Sequence, residues 1–304
     1  MNPLHTLGTE LGQTMLMYIF FLFVSLVIIC PILYKKNSEA FLARARNTRP
    51  TRTLCYISLA LSGSFFAGIN NYVYLTVGIF SIFFAWQFAI IINDICDKNI
   101  DKNSERPLSM RVVSEKEYFG VAILFLVYSL SFGLILNVIP LSLLALYLII
   151  FVVYSVPPIR LRRHVFGSFL IGGCLALAFL FAYTSQAASI NSPIILVSLL
   201  LFVGSSVGVI AKDFKDYQGD KSDNVKTVFT VLGLRKGISF TSILLLISFL
   251  LPLLLLNSAK DVLFFAGLAI LSSVDFRIRT NFDRTIIYFL ALVFYGTLRL
   301  TSFV

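Results

Sequence analysis

The chain has 304 residues, of which 58% are hydrophobic and only 13% charged, with a formal net charge of +10 and a mean hydropathy of +0.89. That is too little polar surface to coat a soluble globule of this size, so the composition excludes one and implies an integral, multi-pass membrane protein. Lipid offers no partner for backbone N–H and C=O groups, so long apolar runs imply an all-α helical bundle rather than a barrel.

Ten runs are long enough to predict membrane helices, at roughly residues 14–34, 53–69, 72–92, 118–137, 139–156, 165–184, 194–211, 238–256, 261–274 and 285–303. The ninth is short. The first carries no Lys or Arg on its N-terminal flank, no small-residue cleavage site follows it, and a basic cluster comes after it, so it reads as an anchor rather than a secretory signal. Every Lys and Arg except Lys260 and Arg299 falls in residues 35–52, 93–117, 157–164, 211–237 or 275–284. Ten spans put these segments on one side, which the positive-inside rule makes the cytoplasm. The basic balance then reflects topology, with anionic lipid headgroups as neighbours and no nucleic-acid partner. Cys30, Cys55, Cys96 and Cys174 have no ligand spacing and read as ordinary thiols, and His5 and His164 carry no signal.

Two spans end in acid. The third runs into "NDICDKNID", with Asp94, Asp97 and Asp101, and the seventh into "KDFKDYQGD", with Asp213, Asp216 and Asp220. Both triplets have the spacing i, i+3, i+7, which places three carboxylates on one helical face if each helix continues. The echo points to two related four-helix halves whose acidic ends face each other. Carboxylates at a helix C-terminus oppose its dipole. Like charges about 6 Å apart cost on the order of 3 kcal/mol per pair at an effective dielectric near 20. Positive charge must intervene. Lys98, Lys102, Lys212, Lys215 and Lys221 are near in sequence, and Mg²⁺ suits the task because it binds a few carboxylates and leaves positions for phosphate oxygens.

These residues resemble the intramembrane UbiA-type prenyltransferases. "NDICDKNID" resembles that family's first motif, Asn-Asp-x-x-Asp-x-x-x-Asp. "KDFKDYQGDKSDNVKT" is similar to the second, with Asp213, Asp216, Gly219, Asp220, Lys226 and Thr227 in matching places. "YSVPPIRLRR" from Tyr154, Arg106-Pro107 and "TRPTRTL" from Thr48 match further family segments in order. The form of the second motif is closer to the archaeal-lipid and tocopherol branches than to the hydroxybenzoate branch. The likeness covers about residues 48–303. It implies a nine-helix core, so the run at 14–34 is an addition, and a division into an N-terminal transmembrane anchor with a basic cytoplasmic linker (1–47) and a prenyltransferase domain (48–304). Two departures stand out: the stretch from Asp101 to Arg106 is short, and Asn224 occupies a place where glycine is common.

The resemblance implies Mg²⁺-dependent transfer of a prenyl group from a polyprenyl diphosphate to a small acceptor, an aromatic ring or a polar lipid precursor. Asn93, Asp94, Asp97 and Asp101 would hold one Mg²⁺ and Asp213, Asp216 and Asp220 another, with the six aspartates catalytic. Arg106, Arg160, Arg162 and Lys212 would contact the diphosphate, and Tyr154, Ser155 and Tyr217 would border the substrate. Phe83, Phe84, Trp86, Tyr154 and Tyr217 are candidates to face an allylic cation. A terpene cyclase or a lipid-phosphate phosphoribosyltransferase would share the site. A divalent-cation carrier calls for acidic residues at mid-span, and the ten runs have none there.

Overall fold

The computed structural model describes residues 3–98, 106–187 and 189–301, and every regular element among them is helical. A long helix α1 (Pro3–Lys36) is followed by the short α2 (Ser38–Arg46), then α3 (Pro50–Phe66), α4 (Tyr72–Cys96), α5 (Glu115–Gly133) and α6 (Val138–Ser155). The second part contains α7 (Gly167–Gln186), α8 (Ser192–Ser222), the five-residue α9 (Val228–Leu232), α10 (Leu234–Leu250), α11 (Ala259–Arg279) and α12 (Phe282–Thr301). All ten predicted runs are helices, with nine long helices following α1 among the described residues. Eight helices are both long and apolar enough to cross a membrane. The two that fall short are α3, at 17 residues, and α11, which has Lys260 and Asp261 at its start and Asp275, Arg277 and Arg279 at its end.

Local chemistry sets the helix starts. Ser114 and Glu117 form a reciprocal capping box on α5, and Ser258 and Asp261 form one on α11. Asn71 caps α4 by accepting from the N–H groups of Val73 and Tyr74, and Pro50 opens α3, where a missing N–H costs nothing. The helices then pack by close approach of small residues, since apolar burial alone does not drive association in lipid. A Cβ on Gly63 of α3 would sit 2.1 Å from the Phe179 carbonyl oxygen of α7. One on Gly172 of α7 would sit 2.1 Å from Ser206 Oγ of α8. These contacts seat α7 between the helix that opens the core and the helix that carries the second acidic motif.

The two motif helices differ. The helix α4 stops at Cys96, and Asp97 is its C-cap (φ −102°, ψ 5°), one turn beyond Asp94. In contrast, α8 runs unbroken to Ser222 and does carry Asp213, Asp216 and Asp220 as one helical series. At about 1.5 Å per residue, its 31 residues reach about 46 Å, beyond the ~30 Å hydrocarbon layer. The extra helix α1 touches the rest through one stripe. Phe23 lies 4.9 Å from Phe80 and 5.5 Å from Phe132 between ring centroids, and the hydroxyls of Ser25 and Tyr128 are 2.7 Å apart.

Candidate active site

The end of α4 is held by arginines. Asn93 Nδ2 donates to Asp97 Oδ2 at 2.9 Å, Arg160 Nη2 donates to Asp97 Oδ1 at 2.7 Å and to the Cys96 carbonyl at 3.3 Å, and Arg162 also pairs with Asp97. Arg160 follows the cis Pro157–Pro158 peptide and adopts a left-handed backbone (φ 40°), an unfavourable state for a side chain of this size. One turn back, Asp94 is fully enclosed. Its Oδ1 accepts from Arg49 Nη2 at 2.6 Å and pairs with Arg106 Nη1 at 3.1 Å. Its Oδ2 accepts from Asn47 Nδ2 at 2.6 Å and from the Tyr118 hydroxyl at 3.2 Å.

The second motif lies along α8. Asp213 Oδ2 accepts from Ser168 Oγ of α7 at 2.9 Å, and Lys212 Nζ donates to Asp216 Oδ2 at 2.6 Å. No described side chain donates to the Asp220 carboxylate. The chain after α8 turns at Asn224 (φ 54°), a conformation asparagine tolerates in place of glycine. The Lys226 N–H then bonds the Arg163 carbonyl at 3.0 Å, tying the second motif's loop to the arginine turn on the first motif.

Both motifs open into one cavity of about 390 Å³. Asn93, Asp97, Asp216 and Asp220 line it, together with Tyr154, Ser155, Arg106, Arg162 and Lys212 from the predicted set. Asp94, Asp213, Arg160 and Tyr217 are not in its lining: the first three are turned to the partners above, and Tyr217 lies under the Lys221 ammonium, 5.8 Å from its ring centroid. Asp101 lies outside the described residues. Of the aromatic candidates, Trp86 and Tyr154 reach the cavity, whereas Phe84 stacks on Phe132 and Tyr128 with Phe83 beside it. Lys98 pairs with Glu115 and Lys215 with Asp283, so neither bridges the motifs.

Arg49 and Arg52 were not singled out by sequence, although both lie in "TRPTRTL". They join the lining, as do Tyr56, Phe151 and Phe289 on the apolar side, while Phe282 lies under Arg52 and Lys215, 5.8 and 5.7 Å from its ring centroid. Six cations, Arg49, Arg52, Arg106, Arg162, Lys212 and Lys215, therefore meet three carboxylates, Asp97, Asp216 and Asp220, at the charged end. Burial, and then the charge of Arg49, pushes the Arg52 guanidinium down to about 10. Burial also lowers Arg162, against the opposing pull of Asp220, Asp216 and Asp213. Crowded cations short of solvent are relieved by an anion.

A match to the UbiA prenyltransferase family extends over residues 52–295. The chain belongs to this family. Among UbiA relatives it is similar to the 4-hydroxybenzoate octaprenyltransferase of Aliivibrio fischeri (strain MJ11), 26% identical over 196 residues that make up 62% of this chain and 66% of that protein. It is likewise similar to the digeranylgeranylglyceryl phosphate synthase of Saccharolobus solfataricus, 28% identical over 162 residues, 52% of this chain and 56% of that one. The matched stretches thus span less than the full length of both relatives. A UbiA homologue from Archaeoglobus fulgidus, solved bound to GPP and Mg²⁺, shares the fold with a TM-score of 0.65 at 21% identity, covering 84% of this chain and 99% of its own.

Oxygen donors of the UbiA motifs suit a hard cation. Among the described residues, however, no three acidic, His or Cys side chains are drawn together around a common point. The reason is visible: Asp97 is occupied by two arginines and Asp216 by Lys212. An anion entering the cavity would draw Arg162 and Lys212, which line it, toward itself and leave carboxylate oxygens of Asp97 and Asp216 for a metal. The donor set therefore fits Mg²⁺.

Proposed function

We propose that the protein transfers a prenyl group from a polyprenyl diphosphate to a small acceptor within the membrane. The observation that carries this reading is the single cavity in which carboxylates of both motifs meet six cations at one end and aromatic side chains at the other. A diphosphate headgroup joined to an isoprenoid tail has that same division. The naming of the relatives as prenyltransferases of unlike acceptors supports the donor side and leaves the acceptor open between an aromatic ring and a polar lipid precursor.

In this reading Arg49, Arg52, Arg106, Arg162 and Lys212 bind the diphosphate oxygens, and Asn93, Asp97, Asp216 and Asp220 hold Mg²⁺. Bound there, Mg²⁺ neutralises negative charge that develops on the departing diphosphate. The carbon–oxygen bond at the prenyl C1 breaks with its electron pair leaving on the diphosphate, and the faces of Trp86 and Tyr154 shelter the allylic cation. The acceptor bonds to C1 and gives up a proton. A carboxylate of the site takes up that proton. Ser205 Oγ, buried in the cavity wall without a hydrogen-bond partner, offers a polar contact for the acceptor. In this reading the motif loops face the cytoplasm, which the distribution of basic segments supports, and residues 48–304 act as the transferase with 1–47 as anchor and linker.

Purified protein in nanodiscs, supplied with a polyprenyl diphosphate and a lipid extract as acceptor source, should release diphosphate only with Mg²⁺. Chelation should stop it, and Asp97→Ala and Asp216→Ala should each lower release about 100-fold or more. Release near the wild-type rate from both variants would end this reading.

A further inference from the structure

We infer that the N-terminal helix pair, α1 and α2, is part of the diphosphate site: through Asn47 it positions Asp94, and Asp94 in turn aims Arg49 and Arg106 into the cavity. This deepens the function proposed above and rests on it. Asp94 itself does not line the cavity, yet two of its partners do. Its side chain is fully buried, and each oxygen is met by two partners, Arg49 and Arg106 at Oδ1, Asn47 and Tyr118 at Oδ2. A carboxylate has about four acceptor sites, so this one is filled. With one oxygen fixed by neutral donors, the other holds two guanidinium groups in place where both line the cavity.

Asn47 and Arg49 precede residue 52, where the family match begins. Three fastenings bring them to the site. In the membrane, Ser25 of α1 meets Tyr128 of α5 at 2.7 Å. At the membrane boundary, Asn37 caps α2 through the Ala40 N–H and its Nδ2 donates to the Val112 carbonyl at 3.4 Å. Beyond α2, Asn47 closes the helix as its C-cap and donates to both Asp94 and Tyr118, at 2.6 and 3.0 Å. The chain then bends through Arg49 in a left-handed conformation (φ 51°), which a non-glycine residue holds only when its surroundings impose it. The extra segment thus reaches the charged end of the cavity.

The test uses the full chain in nanodiscs and two readouts: KM and kcat for a polyprenyl diphosphate, and the Kd of a non-cleavable thiolodiphosphate analogue measured without Mg²⁺. Asn47→Ala should raise KM and the analogue Kd about tenfold while kcat changes much less. Asn47→Asp keeps the shape but sets a second carboxylate against Asp94, so it should be worse than Ala, and Asn47→Gln, which keeps the amide donor, should recover part of the loss. Tyr118→Phe, which removes only a hydroxyl from the same oxygen, should shift KM in the same direction by a smaller factor. The inference is overturned if Asn47→Asp is milder than Asn47→Ala, if kcat alone falls, or if Asn47→Ala and Tyr118→Phe both match the wild type. Wild-type protein that neither binds the analogue nor turns over would instead remove the proposed function, and this inference with it.

Discussion

Arg160 and Asp97 stand 63 residues apart in the chain, and Arg160 Nη2 lies 2.7 Å from Asp97 Oδ1. The same guanidinium group reaches the Cys96 carbonyl at the end of α4. The turn after α6 therefore closes the end of α4 by satisfying both an unpaired helix carbonyl and a carboxylate that is 2% exposed.

Removing that guanidinium should be felt as stability before it is felt as chemistry. Arg160→Ala leaves Asp97 with Arg162 and Asn93 only, and should cost about 1.5–3 kcal/mol, read as a lower midpoint of thermal unfolding in detergent. Arg160→Lys should recover little, because an ammonium lacks the planar fork that reaches two acceptors at once. A lysine variant as stable as the wild type would argue that charge alone matters here.

The glycine contacts allow a paired comparison. Gly63→Ala pushes a methyl into backbone 2.1 Å away, so α3 and α7 must separate, and it should destabilise by about 1–3 kcal/mol. Gly78→Ala on α4 meets nothing nearer than the Phe181 ring at 3.6 Å. It should be neutral or gain up to about 1 kcal/mol, the ordinary helical preference for alanine. Equal unfolding temperatures for the two variants would contradict the close packing of α3 on α7.

Legibility in the sequence followed physical signal strength. Apolar runs gave away the ten helices, and both acidic motifs were visible because carboxylates at the ends of such runs are costly. Arg49 and Arg52 were hidden because the basic stretch they belong to was already explained by topology, and no local pattern distinguishes a cation facing lipid headgroups from one facing a cavity. Phe84 and Trp86 show a second limit. Helical residues two positions apart, as these are, differ by about 200° around the axis, and the surroundings of α4 are apolar on so many sides that nothing in its composition marks which face turns to the cavity. The stop of α4 at Cys96 was equally invisible, since the i, i+3, i+7 spacing of Asp94, Asp97 and Asp101 is shared with a helix that does continue, α8.

Arg299, the lone cation inside the last predicted run, also found its explanation only in three dimensions. Its Nε donates to Asp261 Oδ1 at 2.8 Å and its Nη2 to Oδ2 at 3.1 Å, while the Tyr295 hydroxyl donates to Oδ1 at 2.9 Å. This pair fastens the start of α11 to the end of α12. Asp261→Leu and Arg299→Leu should each lower the unfolding temperature, and the double variant Asp261→Leu/Arg299→Leu should be less harmful than the sum of the two, because neither charge is left without its partner. Additive losses would show that the pair does not act as a unit.

The change in character along the cavity, ionic at one end and aromatic at the other, bears on how a reaction there finishes. A freed diphosphate would stand at the water boundary, while the prenylated acceptor would keep its isoprenoid chain among the rings. Fragments that dissolve in separate phases leave by separate routes and are diluted away from each other at once. Reversal would then be opposed by partition between two solvents, without any moving part.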